Sequence, residues 1–160
     1  YPTEEEEFVI VQRVTGMPAT AAAVADTAQL MALQAQCRQG YVDPALVQYA
    51  AKLVAATRDP VRCGLPELAP YLTFGASPRA TIALIEGARA LAFLRGRPYA
   101  LPQDLIDLVP DVLRHRLVLS YEALSEGMTA DALILKILQA VPAPSHPLDR
   151  HVQLAAQEAN

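Results

Sequence analysis

Apolar residues recur along this chain mostly three and four positions apart, which is the spacing of helices that bury one face. The strongest such pattern predicts a helix from Pro78 to about Leu94, with Gly96 just beyond its end. Arg79 falls on the face opposite the apolar stripe, so its side chain is predicted to point away from the core. The predicted core positions of this helix are Leu84, Ile85, Ala88, Leu91 and Ala92.

Two further segments combine the helical pattern with a clear cap at the start. Asp43 followed by Pro44 is typical of a helix N-terminus, and this helix is predicted to end at Arg58-Asp59-Pro60. Thr129 is predicted to cap a final helix that ends at Val141-Pro142. The predicted core positions are Leu46, Ala50, Leu53, Val54 and Thr57 in the first of these helices, and Leu133, Ile134, Ile137 and Leu138 in the second.

The first forty residues predict two more helices. Thr3 and Glu6 have the spacing of a capping box, and the acidic run from Glu4 to Glu7 suits the positive first turn of a helix. That helix is predicted to end at Gly16, and Asp26 is predicted to cap another that runs through Gln36. The positions expected to be buried are Phe8, Val11 and Val14 in the first helix, and Leu30, Leu33 and Cys37 in the second.

Prolines and turn residues predict the irregular segments. Residues 60–74, which contain several prolines, are predicted to form a loop, and residues 121–128 a connection. A helix that starts at Leu101-Pro102 is expected to break or kink at Pro110 and to restart as a short helix through Arg116, because proline lacks the N–H donor. Residues 117–121 can pair as a short strand, for which Tyr41-Val42 is one candidate partner.

Composition narrows the classes of function. The chain has 160 residues, 52% of them apolar, which suits one domain with a real core. Its net charge of −4, without a run of Lys and Arg, argues against nucleic-acid binding, and its apolar runs are too short for membrane insertion. Cys37 and Cys63 lack metal-ligand spacing, so we interpret them as reduced, partly buried thiols of a cytoplasmic protein and predict no metal site.

The segment Gly75-Ala76-Ser77-Pro78-Arg79-Ala80 carries the candidate chemistry. Ser77 is predicted to be the N-cap and Pro78 the first helical residue, which places Arg79 in the first turn beside the positive end of the helix dipole. A guanidinium is disfavoured there unless an anion offsets it, and a helix N-terminus with an arginine suits a phosphate oxygen. A solvated arginine that turns away from the helix start is the alternative.

Seven short motifs, in this order and at these separations, resemble the C-terminal lid domain of MoxR-type AAA+ ATPases. The resemblance covers most of residues 1–144 and predicts an all-α lid-type helical bundle, either alone or with a short two-stranded β ribbon. Residues 145–160 are expected to be a flexible or loosely docked tail. The motifs are Tyr41-Val42-Asp43-Pro44, Val54-Ala55-Ala56-Thr57-Arg58, Gly75-Ala76-Ser77-Pro78-Arg79-Ala80, Gly96-Arg97-Pro98-Tyr99, Pro102-Gln103-Asp104, Leu113-Arg114-His115-Arg116 and Val141-Pro142-Ala143-Pro144.

The resemblance implies a role for Arg79, and the positions of the other matched cations along their predicted helices suggest a role for most of them. Arg79 corresponds to the sensor 2 arginine, which reaches a nucleotide phosphate from the lid, and Ser77 and Pro78 share its turn. Arg58 at a helix C-terminus is as well explained by capping as by a phosphate or partner contact. For Arg97 we favour a cap or an interdomain contact. For His115 and Arg116 we favour structural roles. The more specific alternative is that they contact the ATPase core.

The same resemblance implies the activity and the partners of a larger protein. ATP and Mg2+ would be bound by an upstream ATPase core that these residues do not include, and this chain alone is expected neither to bind a cofactor nor to hydrolyse ATP. The intact protein would form a ring with neighbouring subunits and act with a von Willebrand factor A domain protein in assembly or maturation of client complexes. The alternative is a free-standing helical interaction module that docks a partner through residues 65–74.

Overall fold

A computed structural model describes residues 1–16 and 22–144 of the chain. The chain divides into two units, one over Tyr1–Leu33 and a larger one from Gln34 onward. The predicted tail over residues 145–160 lies outside the described residues. Among the residues that are described, no helix is long and apolar enough to cross a membrane.

Helix α1 (Glu4–Thr15) begins with the predicted capping box, since Thr3 N–H donates to Glu6 Oε2 at 2.8 Å and Glu6 N–H donates to Thr3 Oγ1 at 3.4 Å. The predicted burial of its apolar face is wrong. Phe8, Val11 and Val14 are all exposed, and no residue of α1 is buried. An amphipathic pattern identifies the apolar face of a helix but does not show that another element covers it.

Helix α2 (Thr27–Arg38) begins where predicted, because Gln29 N–H donates to Asp26 Oδ1 at 2.7 Å and Asp26 N–H donates back to Gln29 Oε1 at 2.9 Å. Leu30 and Leu33 are exposed, so their predicted place in a core is wrong. Cys37, near the end of α2, is partly buried, as predicted. Cys63 is exposed, which corrects the prediction for this second thiol.

The larger unit is built around α4 (Pro78–Leu94), which packs against both α3 (Pro44–Arg58) and α5 (Pro102–Leu113). A last helix, α7 (Ala130–Ala140), packs against α3 and α5. The caps predicted for α3 and α7 are confirmed: Asp43 Oδ1 accepts from Ala45 N–H at 2.7 Å, and Thr129 Oγ1 accepts from Ala132 N–H at 3.1 Å. Predicted core residues that are fully or nearly fully buried are Leu46, Ala50, Leu53, Val54, Thr57, Leu84, Ala88, Ala92, Leu133, Ile134 and Ile137.

The segment predicted to be a loop is ordered. It contains a 3₁₀ helix at Pro66–Tyr71 and a strand β1 (Leu72–Phe74), which pairs antiparallel with β2 (Val118–Leu119). A side-chain hydrogen bond also links the two segments at one end of this β1–β2 ribbon, where Ser120 Oγ donates to Pro70 O at 2.6 Å. Tyr41 is therefore not the partner of β2 but forms an isolated parallel bridge with Tyr99.

Two further predictions about the second half of the chain need correction: the helix does not break at Pro110, and residues 121–128 are more than a connection. Helix α5 continues through Pro110 to Leu113, followed by a 3₁₀ turn at Arg114–Arg116, and residues 121–128 contain a short helix α6 (Tyr121–Ser125). An interior proline costs a helix about 3 kcal/mol or more. The complete burial of Val109 and Leu113 on either side of Pro110 offsets that cost in α5.

Candidate functional site

The predicted site residues lie together at the N-terminus of α4. Ser77 has the extended conformation of an N-cap, with φ −78° and ψ 168°, and Pro78 is the first helical residue. The Ser77 side chain makes no capping hydrogen bond, so the first turn of this 17-residue helix has no side-chain cap among the described residues. Pro78 has no N–H group and Ala80 N–H donates to Ser77 O at 2.9 Å, so the main feature of this helix end is the positive potential of the helix dipole.

Arg79 is exposed, and its guanidinium has no hydrogen-bond or ion-pair partner among residues 1–16 and 22–144. It lies on the side of α4 away from the buried residues Ala80, Leu84 and Ala88, as predicted. A cation in the first turn of a helix is disfavoured by the dipole. The described residues place no carboxylate against Arg79 to offset that cost, so the position suits an external anion.

The turn that leads into α4 is held by the end of α3. Ala76 N–H donates to Thr57 Oγ1 at 2.9 Å, and Thr57 Oγ1 donates to Val54 O at 2.7 Å. A Cβ atom built on Gly75 would lie 2.2 Å from Thr57 O and 2.7 Å from Arg58 N. Only glycine allows so close an approach of two backbone segments.

The sequence pattern does not predict this junction, because it places Thr57 at a core position and gives no sign that Thr57 contacts the turn at Gly75-Ala76. The available signal was a polar residue at a predicted core position, because a buried hydroxyl needs a hydrogen-bond partner. Arg58, next to Thr57, is exposed and without a hydrogen-bond or ion-pair partner in the described part of the chain.

Comparisons with known proteins identify the fold that carries these residues. A family model described as an AAA lid domain matches residues 67–137, which include the α4 site. The chain is 43% identical over 144 residues to Chaperone MoxR1 from Mycobacterium tuberculosis, and the match covers 90% of this chain and 38% of that protein. Protein MoxR from Paracoccus denitrificans is 36% identical over 111 residues, covering 66% of this chain and 32% of the relative.

Residues 67–137 form an AAA lid domain of the MoxR family. A crystal structure of a candidate ATPase from Cytophaga hutchinsonii has the same fold, with a TM-score of 0.78 and 33% identity over 91% of this chain and 44% of that one. The predicted helical bundle with a short two-stranded ribbon is thus confirmed. The chain spans less than half the length of these relatives.

At the other end of α4, the lid holds a buried carboxylate. Asp104 is fully buried and accepts two hydrogen bonds from Arg97, at 2.8 and 2.6 Å, and one from Arg95 at 2.7 Å. Its Oδ2 also accepts from Leu101 N–H at 2.8 Å. Burial by itself raises the pKa of this carboxyl, but the hydrogen bonds from Arg97, Leu101 N–H and Arg95 together bring that pKa below its ordinary value.

Arg97 thus forms an ion pair with a buried carboxylate, a contact that the sequence did not predict, since it favoured a cap or an interdomain contact for this residue. Hydrogen bonding to Asp104 raises the pKa of its guanidinium, so it remains charged. Helix α4 rises about 1.5 Å per residue, which puts this cluster about 24 Å from Arg79 along the helix. This cluster stabilises the fold of the lid and is not part of the α4 site.

The cations near β2 also have partners within the lid. Arg114 Nε donates to Asp131 Oδ1 at 2.7 Å, which ties the 3₁₀ turn to α7. Arg116 donates to Val112 O, and its Nη1 lies 2.6 Å from His115 Nε2. The structural roles favoured for His115 and Arg116 are consistent with these contacts. No cluster of three or more metal-type ligands occurs among the described residues.

Proposed function

We propose that this lid domain senses nucleotide in a MoxR-type AAA+ ATPase, and that Arg79 is its sensor 2 arginine. The observation that carries the proposal is the exposed guanidinium of Arg79, which has no partner among the described residues, at the uncapped start of a 17-residue helix. A family model for AAA lid domains covers this position, and the chain shares 43% identity with Chaperone MoxR1.

The residues of the α4 site fit a phosphate group. The planar guanidinium of Arg79 can donate two parallel hydrogen bonds to phosphate oxygens. The turn at Ser77 and Pro78 brings the positive end of the α4 dipole to the same place. ATP with Mg2+, when bound by the rest of the protein, would supply the phosphoryl group that is transferred to water. Arg79 would stabilise the negative charge that develops on it.

Nucleotide sensing also requires that movement of the lid follows movement of Arg79. Helix α4 packs on both α3 and α5, and α3 holds the turn before α4 through Thr57. A displacement of Arg79 is therefore transmitted to the packed helices together, as in rigid-body motions of other lids. In this mechanism the position of the lid differs between the ATP and ADP states.

The wider role follows the same family. We propose that the intact protein forms a ring with neighbouring subunits in the cytoplasm and acts, with a von Willebrand factor A domain protein, in assembly or maturation of client complexes. The alternative of a free-standing interaction module through residues 65–74 is less well supported, because Leu65 and Leu68 are buried in the core of the lid itself.

The proposal is tested by turnover and nucleotide affinity of the intact protein that contains this lid. Arg79→Ala is expected to lower turnover about ten- to a thousandfold, by analogy with other arginines that contact transferred phosphates. The affinity for ground-state nucleotide should change much less. Negative charge redistributes around the transferred phosphoryl group only in the transition state, so Arg79 interacts more strongly with that state than with bound nucleotide. Arg79→Lys should restore only part of the rate, since a point charge cannot reproduce the planar fork.

Lys136→Ala is a suitable control, because it removes one exposed cation from α7 rather than from α4. Its turnover should equal that of the wild type. Ring assembly is checked for every variant by light scattering. Assembled Arg79→Ala rings that hydrolyse ATP at the wild-type rate would show that Arg79 is not a sensor.

A further inference from the structure

The hydroxyl of Thr57 bridges the end of α3 and the turn before α4. It is 1% exposed, and its two hydrogen bonds use both its donor and an acceptor lone pair. The Ala76 N–H group that it accepts from belongs to a residue that is itself 1% exposed. Loss of the hydroxyl would leave this buried N–H without its partner, which is a costly state for a backbone group.

Gly75 makes the same junction rigid from the other side. Its backbone lies so close to α3 that a Cβ would stand 2.2 Å from Thr57 O and 2.4 Å from the Thr57 carbonyl carbon. The contact leaves no space for the turn to move toward α3, and the hydrogen bond to Ala76 keeps it from moving away. The last turn of α3 thereby sets the position of the residues that follow.

Arg79 lies only four residues after Gly75 and three after Ala76. Between them, Ser77 has no capping bond of its own, so the Thr57 contact is the side-chain hydrogen bond that fixes this turn among the described residues. We propose that Thr57 is a positioning residue for Arg79. It holds the first turn of α4 where the guanidinium meets a nucleotide phosphate, and it links Arg79 directly to α3.

This inference rests on the proposed function, because it assigns to Thr57 an effect on turnover that acts through Arg79. A purely structural role would give a different result. In that case Thr57 variants would lower the stability of the lid, and any change in turnover would be independent of the residue at position 79. A double-mutant cycle separates the two roles.

The test compares Thr57→Val, Arg79→Ala and the double variant in the intact protein. Valine keeps the shape of threonine but removes the hydroxyl, and we expect turnover to fall about tenfold or more, since small misplacements of a catalytic group can cost up to a hundredfold. Nucleotide affinity should change by less than about threefold, as for loss of an interaction made mainly in the transition state. In the Arg79→Ala background, Thr57→Val should cause no further loss.

Thr57→Ser keeps the hydroxyl and should retain most of the turnover. Ile137→Ala, in the buried core of α7, is the control for stability loss alone and should hydrolyse ATP at the wild-type rate once assembled. If Thr57→Val does not assemble, Thr57→Ala removes the same hydroxyl with a smaller side chain and takes its place in the cycle.

The possible results of the cycle lead to different conclusions. Wild-type turnover in the hydroxyl-lacking variant, or an equal loss in the presence and absence of Arg79, would overturn the positioning role while leaving the sensor assignment intact. Wild-type turnover in Arg79→Ala would overturn the proposed function and this inference with it. A loss that disappears in the Arg79→Ala background supports both.

Discussion

At the scale of single residues, Arg79 shares with Arg58 the lack of a protein partner among the described residues, but only Arg79 of these two stands at the start of a helix. Arg95, Arg97 and Arg114 each form short ion pairs with aspartates. Arg79 is exposed without such a partner in the described part of the chain, although it stands where a helix disfavours a cation. Its outward direction could be predicted from the helical period. The absence of a Ser77 cap and the Thr57 bond to Ala76 depend on three-dimensional contacts and could not be.

We predict that Arg79→Ala leaves the stability of this 160-residue chain nearly unchanged or slightly raised. The guanidinium makes no stabilising contact with the described residues, and its removal relieves an unfavourable interaction with the helix dipole worth a few tenths of a kcal/mol. Urea denaturation should show a change within about 0.5 kcal/mol. A loss above about 2 kcal/mol would mean that Arg79 holds the lid together instead.

At the scale of elements, the helices that have an N-cap residue and apolar residues at helical spacing could be predicted from the sequence. The elements that depend on contacts between residues distant in the sequence could not. The strand β2 was expected near its observed place, but its partner β1 lies in a proline-rich segment that carries no strand signal. The pairing of these strands is set by tertiary contacts, such as the Ser120 bond to Pro70 O. Helix α5 continued through Pro110 for a similar reason, because buried neighbours outweigh a local preference.

The start of α5 gives a prediction about pH. Asp104→Asn should destabilise the chain by about 3 kcal/mol at neutral pH, because it removes the buried partner of Arg97 and Arg95. The pKa of Asp104 is lower in the folded protein, so its stabilisation is fully present above the ordinary aspartate pKa of about 3.9 and is lost as the pH falls through the folded value. Lowering the pH from neutral to below about 4 should therefore reduce the free energy of unfolding of the wild type more than that of Asp104→Asn.

Asp111→Asn is the matched control, since the Asp111 side chain is 73% exposed and lies 3.4 Å from Arg114. Its effect should stay below about 0.5 kcal/mol. Urea denaturation of both variants at neutral pH and near pH 3 measures the two quantities. Equal stability of Asp104→Asn and the wild type at neutral pH would contradict a structural role for the buried cluster.

At the scale of the whole molecule, residues 67–137 form a lid domain, and the match of the chain to Chaperone MoxR1 covers 38% of that protein. The exposed apolar residues of α1, such as Phe8 and Val14, show where the sequence pattern overestimated the core. The family resemblance, in contrast, was carried by seven ordered motifs and is confirmed by an AAA lid domain match over residues 67–137.

The central claim is tested most directly by an experimental structure of the intact protein with a non-hydrolysable ATP analogue. The measurement is the distance between the guanidinium nitrogens of Arg79 and the nearest phosphate oxygen. We expect a hydrogen bond of about 3 Å, on the nucleotide of the same subunit or of a neighbour. An Arg79 side chain that is paired with a protein carboxylate or points into solvent while the nucleotide is bound would contradict the account.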